Sequence, residues 1–360
     1  MEIKKLTLSF HSQSTVLAVG AEMKRGFAVL INGEAFVAAG NEPLGDLEAL
    51  EVQIREIRSL LSDLRLDPEK VAIDSHPLYL SRKIAEDFDL PVIEVQHHRA
   101  HISSLLAEAG ETGKVIGISM DGTGYGDDGA IWGGEFFVGD MFELERVGHI
   151  KYFFLQGGDR AAKETWRPAL AVLDRIAPEV SEKIAKQLGD RAIMVLSAIR
   201  KGLAGVFSSS AGRIFDGAAF LILGIKENSF EAEAPISLER SAEKNERAYK
   251  FDISVENGGI LLDPAPVFLE IIEDERPPSL KAYSFHYGLA KGIIEVVRIL
   301  RDRFSINKVA MSGGVFQNKL LTGILREGLK EEGFYPLFHE RLPAHDGNIA
   351  LGQAVIASRR

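Results

Sequence analysis

The pattern of hydrophobic and polar residues predicts a chain that begins with strands and continues with alternating helices and strands. Four opening segments alternate or run apolar and are rich in β-branched and aromatic residues, which predicts a β-meander. These segments are residues 6–10, 15–21, 26–32 and 34–39. Asn32-Gly33 is typical of a hairpin turn. Over residues 45–66 leucine and isoleucine recur at helical spacing and predict a helix.

The rest of the pattern predicts that the chain contains two related halves. The first half continues with strand 70–74, helix 78–88, strand 91–96 and helix 102–108. The second begins at Lys114 with strands 115–120, 130–139 and 141–154, a mostly helical region to about residue 224, and a hairpin over 247–262. It closes with helix 283–303, strand 308–311, helix 316–331, strand 334–338 and helix 347–358.

Both halves show the order β-β-β-α-β-α-β-α once an insertion at about 158–280 is set aside. Such a duplication predicts an actin-like (ASKHA) α/β fold, in which two ribonuclease H-like lobes face each other across a nucleotide and metal cleft. We place the N-terminal lobe at residues 1–112 and the C-terminal lobe at residues 113–360.

Composition narrows the class of protein further. The 360 residues carry a formal net charge of -10, which argues against a nucleic-acid partner held by bulk charge. There is no cysteine, so disulfides, cysteine-ligated zinc and a thiol nucleophile on this chain are excluded. No apolar run reaches the length of a membrane span, and the first residues lack a signal-peptide core. We therefore expect a cytoplasmic protein without a membrane partner.

Three histidines follow the apolar segment 91–95 directly. His97 and His101 are four residues apart near a helix start, so their imidazoles point the same way and can hold one divalent ion if carboxylates come from elsewhere. His98 is a third candidate ligand. The alternative is a polar helix end that faces water. The glutamate of the zinc-peptidase patterns is absent, which argues against a hydrolytic zinc peptidase.

Two glycine-rich runs are candidates for phosphate binding. The first glycine segment, Asp121-Gly-Thr-Gly-Tyr-Gly-Asp-Asp-Gly129, precedes a strand rather than a helix, so it is not a dinucleotide fingerprint. Its amides and Thr123 can cradle a phosphate while Asp121 reaches a metal, or it is simply a hairpin loop. The second glycine segment, Met311-Ser-Gly-Gly-Val-Phe-Gln-Asn318, lies between a strand and a helix, where free amides favour an anion.

Two further runs carry charged residues whose simplest interpretations are structural. Arg213 and Asp216 lie at i, i+3 on one helical face, which by itself indicates a surface ion pair. Asp346 lies just before the last helix, where aspartate is a common N-cap. His345 beside it is either an added ligand or part of the cleft rim.

Together, these runs closely resemble the C-terminal Kae1-like domain of HypF carbamoyltransferases, which is related to TsaD and to antibiotic O-carbamoyltransferases. The resemblance covers roughly residues 16–358. Two of its main motifs are the glycine segments, of which the first extends to Glu135 in the resemblance. The other two are Val95-Gln-His-His-Arg-Ala-His101 and Ala344-His-Asp-Gly-Asn-Ile-Ala-Leu-Gly-Gln353. Shorter matching runs are Gly20-Ala-Glu-Met-Lys24, Asp74-Ser-His-Pro77, Gly157-Gly-Asp159, Trp166-Arg167 and Ser209-Ser-Ala-Gly-Arg-Ile-Phe-Asp216.

The resemblance implies one divalent metal ion, Fe or Zn, and a bound nucleotide, which is ATP, AMP or carbamoyl adenylate. The implied metal-binding and catalytic residues are His97, His101, Asp121 and Asp346. The implied nucleotide-binding residues are Gly122, Thr123, Gly124, Gly126, Arg213, Asp216, Gly313, Gly314 and Asn318. Lys24, His76, Asp159 and Arg167 are implied substrate-binding residues.

The resemblance also implies a reaction and two partners. HypF proteins transfer carbamoyl from carbamoyl adenylate to the C-terminal cysteine of HypE during NiFe hydrogenase maturation. The YrdC-like domain that makes the adenylate does not fit in this chain, so a separate YrdC-like protein is expected. Three alternatives are a TsaD-like enzyme acting on tRNA, a small-molecule O-carbamoyltransferase and a non-catalytic nucleotide-binding subunit.

Overall fold

The computed structural model describes residues 1–360, which form two mixed β-sheets and thirteen α-helices. The first sheet contains β1 (Ile3–Thr7), β2 (Val16–Gly20), β3 (Arg25–Ile31), β4 (Glu34–Ala39), β5 (Lys70–Asp74) and β6 (Val92–Val95). The helices of this half are α1 (Leu47–Leu64), α2 (Ser81–Phe88) and α3 (His97–Ala109). No helix has the combination of length and apolar character that a membrane span requires.

The second sheet belongs to the rest of the chain. Its main strands are β7 (Val115–Tyr125), β8 (Ile131–Gly139), β9 (Leu144–Ile150), β12 (Asp252–Glu256), β13 (Gly259–Asp263), β14 (Lys308–Ser312) and β15 (Tyr335–Leu337), and β10 (Phe153–Gln156) and β11 (Gly205–Ser208) pair beside it. The helices are α4 (Arg160–Lys163), α5 (Trp166–Leu173), α6 (Pro178–Leu188), α7 (Asp190–Arg200), α8 (Ala211–Leu223), α9 (Glu233–Ser241), α10 (Ala265–Glu273), α11 (Pro278–Phe304), α12 (Lys319–Glu331) and α13 (Ile349–Ala357).

The two sheets share one topology, which confirms the predicted duplication of an actin-like α/β fold. The first sheet runs β4-β3-β2-β5-β6 and the second β9-β8-β7-β14-β15. In each, the first three strands are antiparallel and the last two are parallel to the central strand. The lobe boundary at residue 112 and the insertion limits of 158–280 stay predictions.

Alternation of side chains along the strands builds a layered molecule. Leu17 and Val19 of β2 face a core shared with α1 and α2, whereas Val16 and Ala18 face a core that contains α3 and α13. The same central core takes up Phe137 of β8, so α3 and α13 lie between the two sheets. The helices of the second half other than α13 pack on the far face of the second sheet.

Four predicted elements differ from the structure. The first strand is β1 rather than residues 6–10, and the strand predicted over 141–154 is two strands, β9 and β10. The region predicted to be helical to residue 224 contains β11, which pairs with β10. The helix predicted over 102–108 begins earlier, at His97, because Gln96 caps it: the Gln96 side chain accepts hydrogen bonds from the amides of His98 and Arg99.

Candidate functional site

Helix α3 presents its histidines to the interface between the two sheets. Because His97 and His101 are one turn apart, they lie on the same face of the helix, and both side chains are completely buried. The alternative of a polar helix end facing water is therefore wrong. Burying two imidazoles costs free energy unless their nitrogen atoms find partners.

The partners of these rings include two carboxylates from the second half of the chain. His101 Nε2 lies 3.0 Å from Asp121 Oδ2 and 3.6 Å from Asp346 Oδ1. His97 Nε2 lies 3.5 and 3.7 Å from the same two oxygens. One ligand atom from each of these residues lies within 4.8 Å of every other. The structure thus brings all four predicted metal-binding residues to one point.

The two aspartates reach this point from different local structures. The sequence predicted that Asp121 lies at the end of a strand. In the structure β7 instead continues to Tyr125, past an irregularity between Met120 and Gly124. Asp346 begins a short 3-10 turn, Asp346–Asn348, directly before α13. Its side chain makes no capping hydrogen bond, so the N-cap interpretation is wrong. His345 caps that turn instead by accepting from the Gly347 amide.

Electrostatics in the cluster favour a charged, paired state. Burial alone would lower the pKa of His97, but the Asp346 and Asp74 carboxylates outweigh it and raise that pKa well above its usual value. The pKa of His101 is raised against burial mainly by its hydrogen bond to Asp121. Conversely, the histidines hold the pKa of Asp121 well below its usual range, although burial opposes this. A divalent cation would replace the protons that these histidines carry.

The donor set fits a divalent transition metal. Two imidazole nitrogens and two carboxylate oxygens suit Fe²⁺, Zn²⁺ or Mn²⁺. His97 Nε2 and His98 Nε2 are both buried without a hydrogen-bond partner, but of these two atoms it is His97 Nε2 that lies near the Asp121 and Asp346 carboxylates. His97, His101, Asp121 and Asp346 would hold the ion. His98 is not part of this group, although its ring lies 5.2 Å from that of His97.

A cavity of about 220 Å³ adjoins the cluster. Its lining includes Asp121, Gly122, Arg213, Gly314 and Asn318, five of the residues that the sequence assigned to metal or nucleotide. The opposite wall comes from the segment around α9 and contributes both acidic and apolar side chains. These residues are Glu231, Ala232, Pro235, Ile236 and Glu239.

Arg213 and Asp216 form a buried pair rather than a surface pair. Arg213 Nε lies 2.7 Å from Asp216 Oδ2, and Asp216 is completely buried. Burial raises the pKa of Asp216 despite this partner. Asp216 also accepts a hydrogen bond from Asn228. Arg213 therefore lines the cavity while Asp216 lies behind it and holds the guanidinium in place.

Four other residues of the two glycine segments that the resemblance assigned to the nucleotide do not line the cavity. Gly124 packs against His98 and His97, and Gly126 packs against the Trp132 ring, so closely that neither site has room for a methyl group. Thr123 is exposed and lies outside the cavity lining. Gly313 packs on the backbone of Met120 with a φ of +110°.

The four predicted substrate-binding residues lie in two separate places. Lys24 Nζ forms a 2.6 Å ion pair with Glu231 of the cavity wall, and the His76 ring stacks on Tyr79 at 4.1 Å. Arg167 is held away from this cavity by Glu164 and Gln156. Asp159 precedes α4 and is exposed.

Sequence reasoning gave no role to two buried residues that contact the histidines. Asp74 Oδ2 lies 2.8 Å from His97 Nδ1, and Asn348 Oδ1 lies 3.3 Å from His101 Nδ1. A signal for Asp74 was present in the sequence. Asp74 is the last residue of β5, and the histidines follow β6. Because β5 and β6 are parallel, the residues at the ends of both strands lie at the same edge of the sheet.

Sequence comparisons match the whole chain to one family. The family described as "Carbamoyltransferase, Kae1-like Domain, second subdomain" matches residues 117–353, and the "HypF Kae1-like domain" matches residues 11–108. Carbamoyltransferase HypF of Rhodobacter capsulatus is 36% identical, covering 98% of this chain and 48% of that protein. A carbamoyltransferase HypF homolog of Cupriavidus necator is 32% identical, covering 96% of this chain and 92% of its own length.

Comparison with solved structures agrees. The crystal structure of full-length HypF in the phosphate- and nucleotide-bound form superposes with a TM-score of 0.93 at 35% identity. It matches 99% of this chain and 47% of the HypF chain. This chain thus spans about half the length of the Rhodobacter capsulatus protein and of the crystallised full-length HypF, but nearly the whole length of the Cupriavidus necator homolog. The chain belongs to the HypF carbamoyltransferase family, and it corresponds to the Kae1-like part of those proteins.

Proposed function

We propose that this protein transfers a carbamoyl group from carbamoyl adenylate to the C-terminal cysteine thiolate of a HypE-like protein, in the synthesis of the cyanide ligands of NiFe hydrogenase. Membership of the HypF family supports the reaction class. The nucleotide-bound state of the related HypF crystal structure supports an adenylate as donor.

The position of Asp121 is the observation that carries the proposal. Its Oδ2 atom faces His97 and His101, whereas its Oδ1 atom accepts hydrogen bonds from the Gly122 amide at 2.7 Å and the Gly314 amide at 3.3 Å. The same residue therefore belongs to the metal cluster and to the cavity lining. A nucleotide in this cavity would have its phosphate next to the ion.

The cavity supplies groups that match an adenylate. The second glycine segment lies where a β-strand passes into a helical turn, and its Gly313 and Gly314 amides donate to the Ala344 carbonyl and to Asp121. Arg213 adds a positive charge to the cavity lining, and its ion pair with Asp216 orients the guanidinium group. Pro235 and Ile236 offer apolar surface for a base.

The chain's residues prepare the mixed anhydride for attack. His97, His101, Asp121 and Asp346 would hold one Fe or Zn ion, which acts as a Lewis acid toward a carbonyl or phosphate oxygen. The Arg213 guanidinium at the cavity wall would stabilise the charge that develops on the leaving phosphate. Burial of the cluster between the sheets excludes water and strengthens these interactions.

The acceptor thiolate must come from the partner protein because this chain contains no cysteine. In the transfer, the thiolate sulfur forms a bond to the carbamoyl carbon. The bond from that carbon to the phosphate oxygen breaks, and AMP leaves with the electron pair. A thiolate is a strong nucleophile, so the chain need supply no general base for this step.

We further propose that a separate YrdC-like protein supplies the carbamoyl adenylate. The test combines the purified chain with ATP, carbamoyl phosphate and a HypE-like protein, and mass spectrometry reads the terminal cysteine of that protein. A carbamoyl group is expected only after a YrdC-like protein is added. Transfer in its absence would contradict the separate source of the adenylate.

Metal content distinguishes an enzyme from a non-catalytic nucleotide-binding subunit. His97→Ala and Asp346→Ala are expected to lower both metal occupancy and carbamoyl transfer, since each removes one of four ligands. Full activity of His97→Ala together with a metal-free parent protein would refute a metal-dependent carbamoyltransferase. If the chain instead modified tRNA, it would be an enzyme of the TsaD type. If it modified a small hydroxyl compound, it would be an O-carbamoyltransferase.

A further inference from the structure

Three neighbouring histidines of α3 have different hydrogen-bond partners on their Nδ1 atoms. His97 Nδ1 lies 2.8 Å from Asp74 Oδ2, and both side chains are completely buried. An ionised carboxylate can only accept, so His97 Nδ1 carries a hydrogen and donates it. The lone pair of a neutral His97 ring is then on Nε2, which faces Asp121 and Asp346.

Asn348 places the ring hydrogen of His101 on Nδ1, as Asp74 does for His97. The Asn348 amide nitrogen lies 2.9 to 3.1 Å from the carbonyl oxygens of Pro343, Ala344 and His345, which share its two hydrogens and fix the orientation of the amide. Its oxygen therefore faces His101 Nδ1 at 3.3 Å and can only accept. The Nε2 lone pair of a metal-bound His101 is left for the ion.

His98 has the opposite arrangement because of the helix cap. Gln96 Oε1 accepts from the amides of His98 and Arg99, so the Gln96 amide nitrogen must face the other way. That nitrogen donates to the Tyr125 carbonyl at 3.0 Å and lies 3.1 Å from His98 Nδ1. His98 Nδ1 must then accept, and the ring hydrogen is on Nε2.

We propose that Asp74 and Asn348 are positioning residues that make His97 and His101 metal ligands, and that Gln96 excludes the adjacent His98 by fixing its opposite tautomer. The proposal rests on the metal centre of the proposed function. Helical spacing already places His98 off the face that His97 and His101 share, and a protonated Nε2 has in addition no lone pair to give to an ion.

The variant Asp74→Asn tests this directly because it reverses one hydrogen bond. Asp74 Oδ1 accepts from the His76 amide at 2.9 Å, and a backbone amide cannot become an acceptor. In D74N the side-chain oxygen is therefore needed at the His76 amide, so the new side-chain nitrogen faces His97. His97 must then accept at Nδ1 and protonate Nε2, which turns its lone pair away from the ion.

The tautomers are measured by nitrogen NMR of protein labelled with ¹⁵N-histidine, with assignments from His97→Gln and His98→Gln. Spectra of the metal-free protein at alkaline pH, where the rings are neutral, should show Nδ1–H for His97 and Nε2–H for His98. D74N should move the His97 hydrogen to Nε2 and weaken Zn²⁺ binding about 10- to 100-fold. Gln96→Glu should move the His98 hydrogen to Nδ1.

Glu108→Gln is the matched control. Glu108 is a buried carboxylate that contacts a histidine Nδ1, that of His339, at 2.5 Å, but this ring is not a ligand. His339 Nε2 lies 3.0 Å from the Ser312 hydroxyl, which lies 3.4 Å from His101 Nδ1, so the control should lower the affinity for Zn²⁺ less than D74N does. A neutral His97 with its hydrogen on Nε2 in the parent, or unchanged Zn²⁺ affinity in D74N, would overturn the inference. A parent with the expected tautomers that binds no Zn²⁺, Fe²⁺ or Mn²⁺ would instead overturn the metal centre.

Discussion

The two glycine segments look alike in the sequence but do different things in the fold. In the first, β7 continues through the glycines, and Gly124 and Gly126 make room for the rings of His98 and Trp132. In the second, β14 ends at Ser312, and Gly313 turns the chain with a φ of +110° so that Gly314 lies beside Asp121 at the cavity. Of the first segment only Asp121 and Gly122 line the cavity, whereas Gly314, Val315, Gln317 and Asn318 of the second segment do so.

The difference shows that a glycine-rich sequence does not reveal which group occupies the space left by the absent side chains. A glycine can admit a ligand or one of the protein's own side chains. At Gly124 the missing side chain lets α3 approach the second sheet, which places the histidines next to Asp121. The first segment therefore acts on the cluster of His97, His101, Asp121 and Asp346 through packing, whereas the second acts on the cavity through its backbone.

The largest expected effect is that of Gly313→Ala. A Cβ atom there would overlap the Met120 carbonyl oxygen, and the φ of +110° is strained for any L-residue. Neither the strand β7 nor the turn can move without loss of the contact between Asp121 and Gly314. We expect a loss of about 3 kcal/mol or more in the free energy of unfolding, measured by urea denaturation.

Gly323→Ala, in the helix α12 that follows the second glycine segment, is the control for this change. A Cβ atom at Gly323 meets no other atom within 4 Å, and the residue is helical. Alanine should therefore stabilise the protein by about 0.5–1 kcal/mol. Equal losses in the two variants would show that the second segment is not constrained in the way that its geometry indicates.

The sequence predicted the fold and the metal cluster better than the cavity. The hydrophobic periodicity of strands and helices and the repeated order of these elements were sufficient to predict the duplicated sheets. This is because local patterns report which face of each element is buried. His97 and His101 share a helical face that local spacing defines. The roles of Gly124, Asp74 and Asn348 depend on contacts between distant parts of the chain, such as Asn348 with His101, and no local pattern reports them.

Gly124→Ala is expected to have the next largest effect, at the metal centre. The added methyl group would overlap His98 Cε1 and lie 2.9 Å from His97 Cδ2. Both rings are buried in a helix that cannot retreat, so His97 should leave its position relative to Asp121. We expect Zn²⁺ affinity to fall at least about tenfold, measured by competition with a chelating dye.

Gly122→Ala separates this packing effect from the cavity. A Cβ atom at Gly122 meets no atom within 4 Å, although the residue lines the cavity. The variant should bind Zn²⁺ like the parent protein but bind an adenine nucleotide more weakly, because the methyl group occupies ligand space. If Gly124→Ala kept the parent Zn²⁺ affinity, the first glycine segment would have no part in positioning the histidines.

The smallest expected effect is a pH dependence at the far end of the second glycine segment. Asn318 caps α12 by accepting from the Leu321 amide, so its amide nitrogen donates to His286 Nε2 at 2.9 Å. His286 Nδ1 donates to the Ala282 carbonyl at 2.7 Å, so this ring is neutral and has one acceptor. Burial lowers the pKa of His286 to about 4.

The sign of the effect follows from this shift. The unfolded chain takes up a proton near the ordinary histidine pKa of about 6.5, whereas folded His286 does not, so stability falls as the pH falls below that value. Between pH 7 and pH 6 the contribution of His286 to stability should fall by about 0.7 kcal/mol, measured by urea denaturation as the difference between the parent and His286→Gln. His286→Gln keeps an acceptor for Asn318 but cannot titrate, while the metal centre titrates equally in both proteins. The parent should therefore lose more stability than the variant over this range. Equal losses would mean that the second glycine segment does not depend on a neutral His286, and that only its backbone distinguishes it from the first.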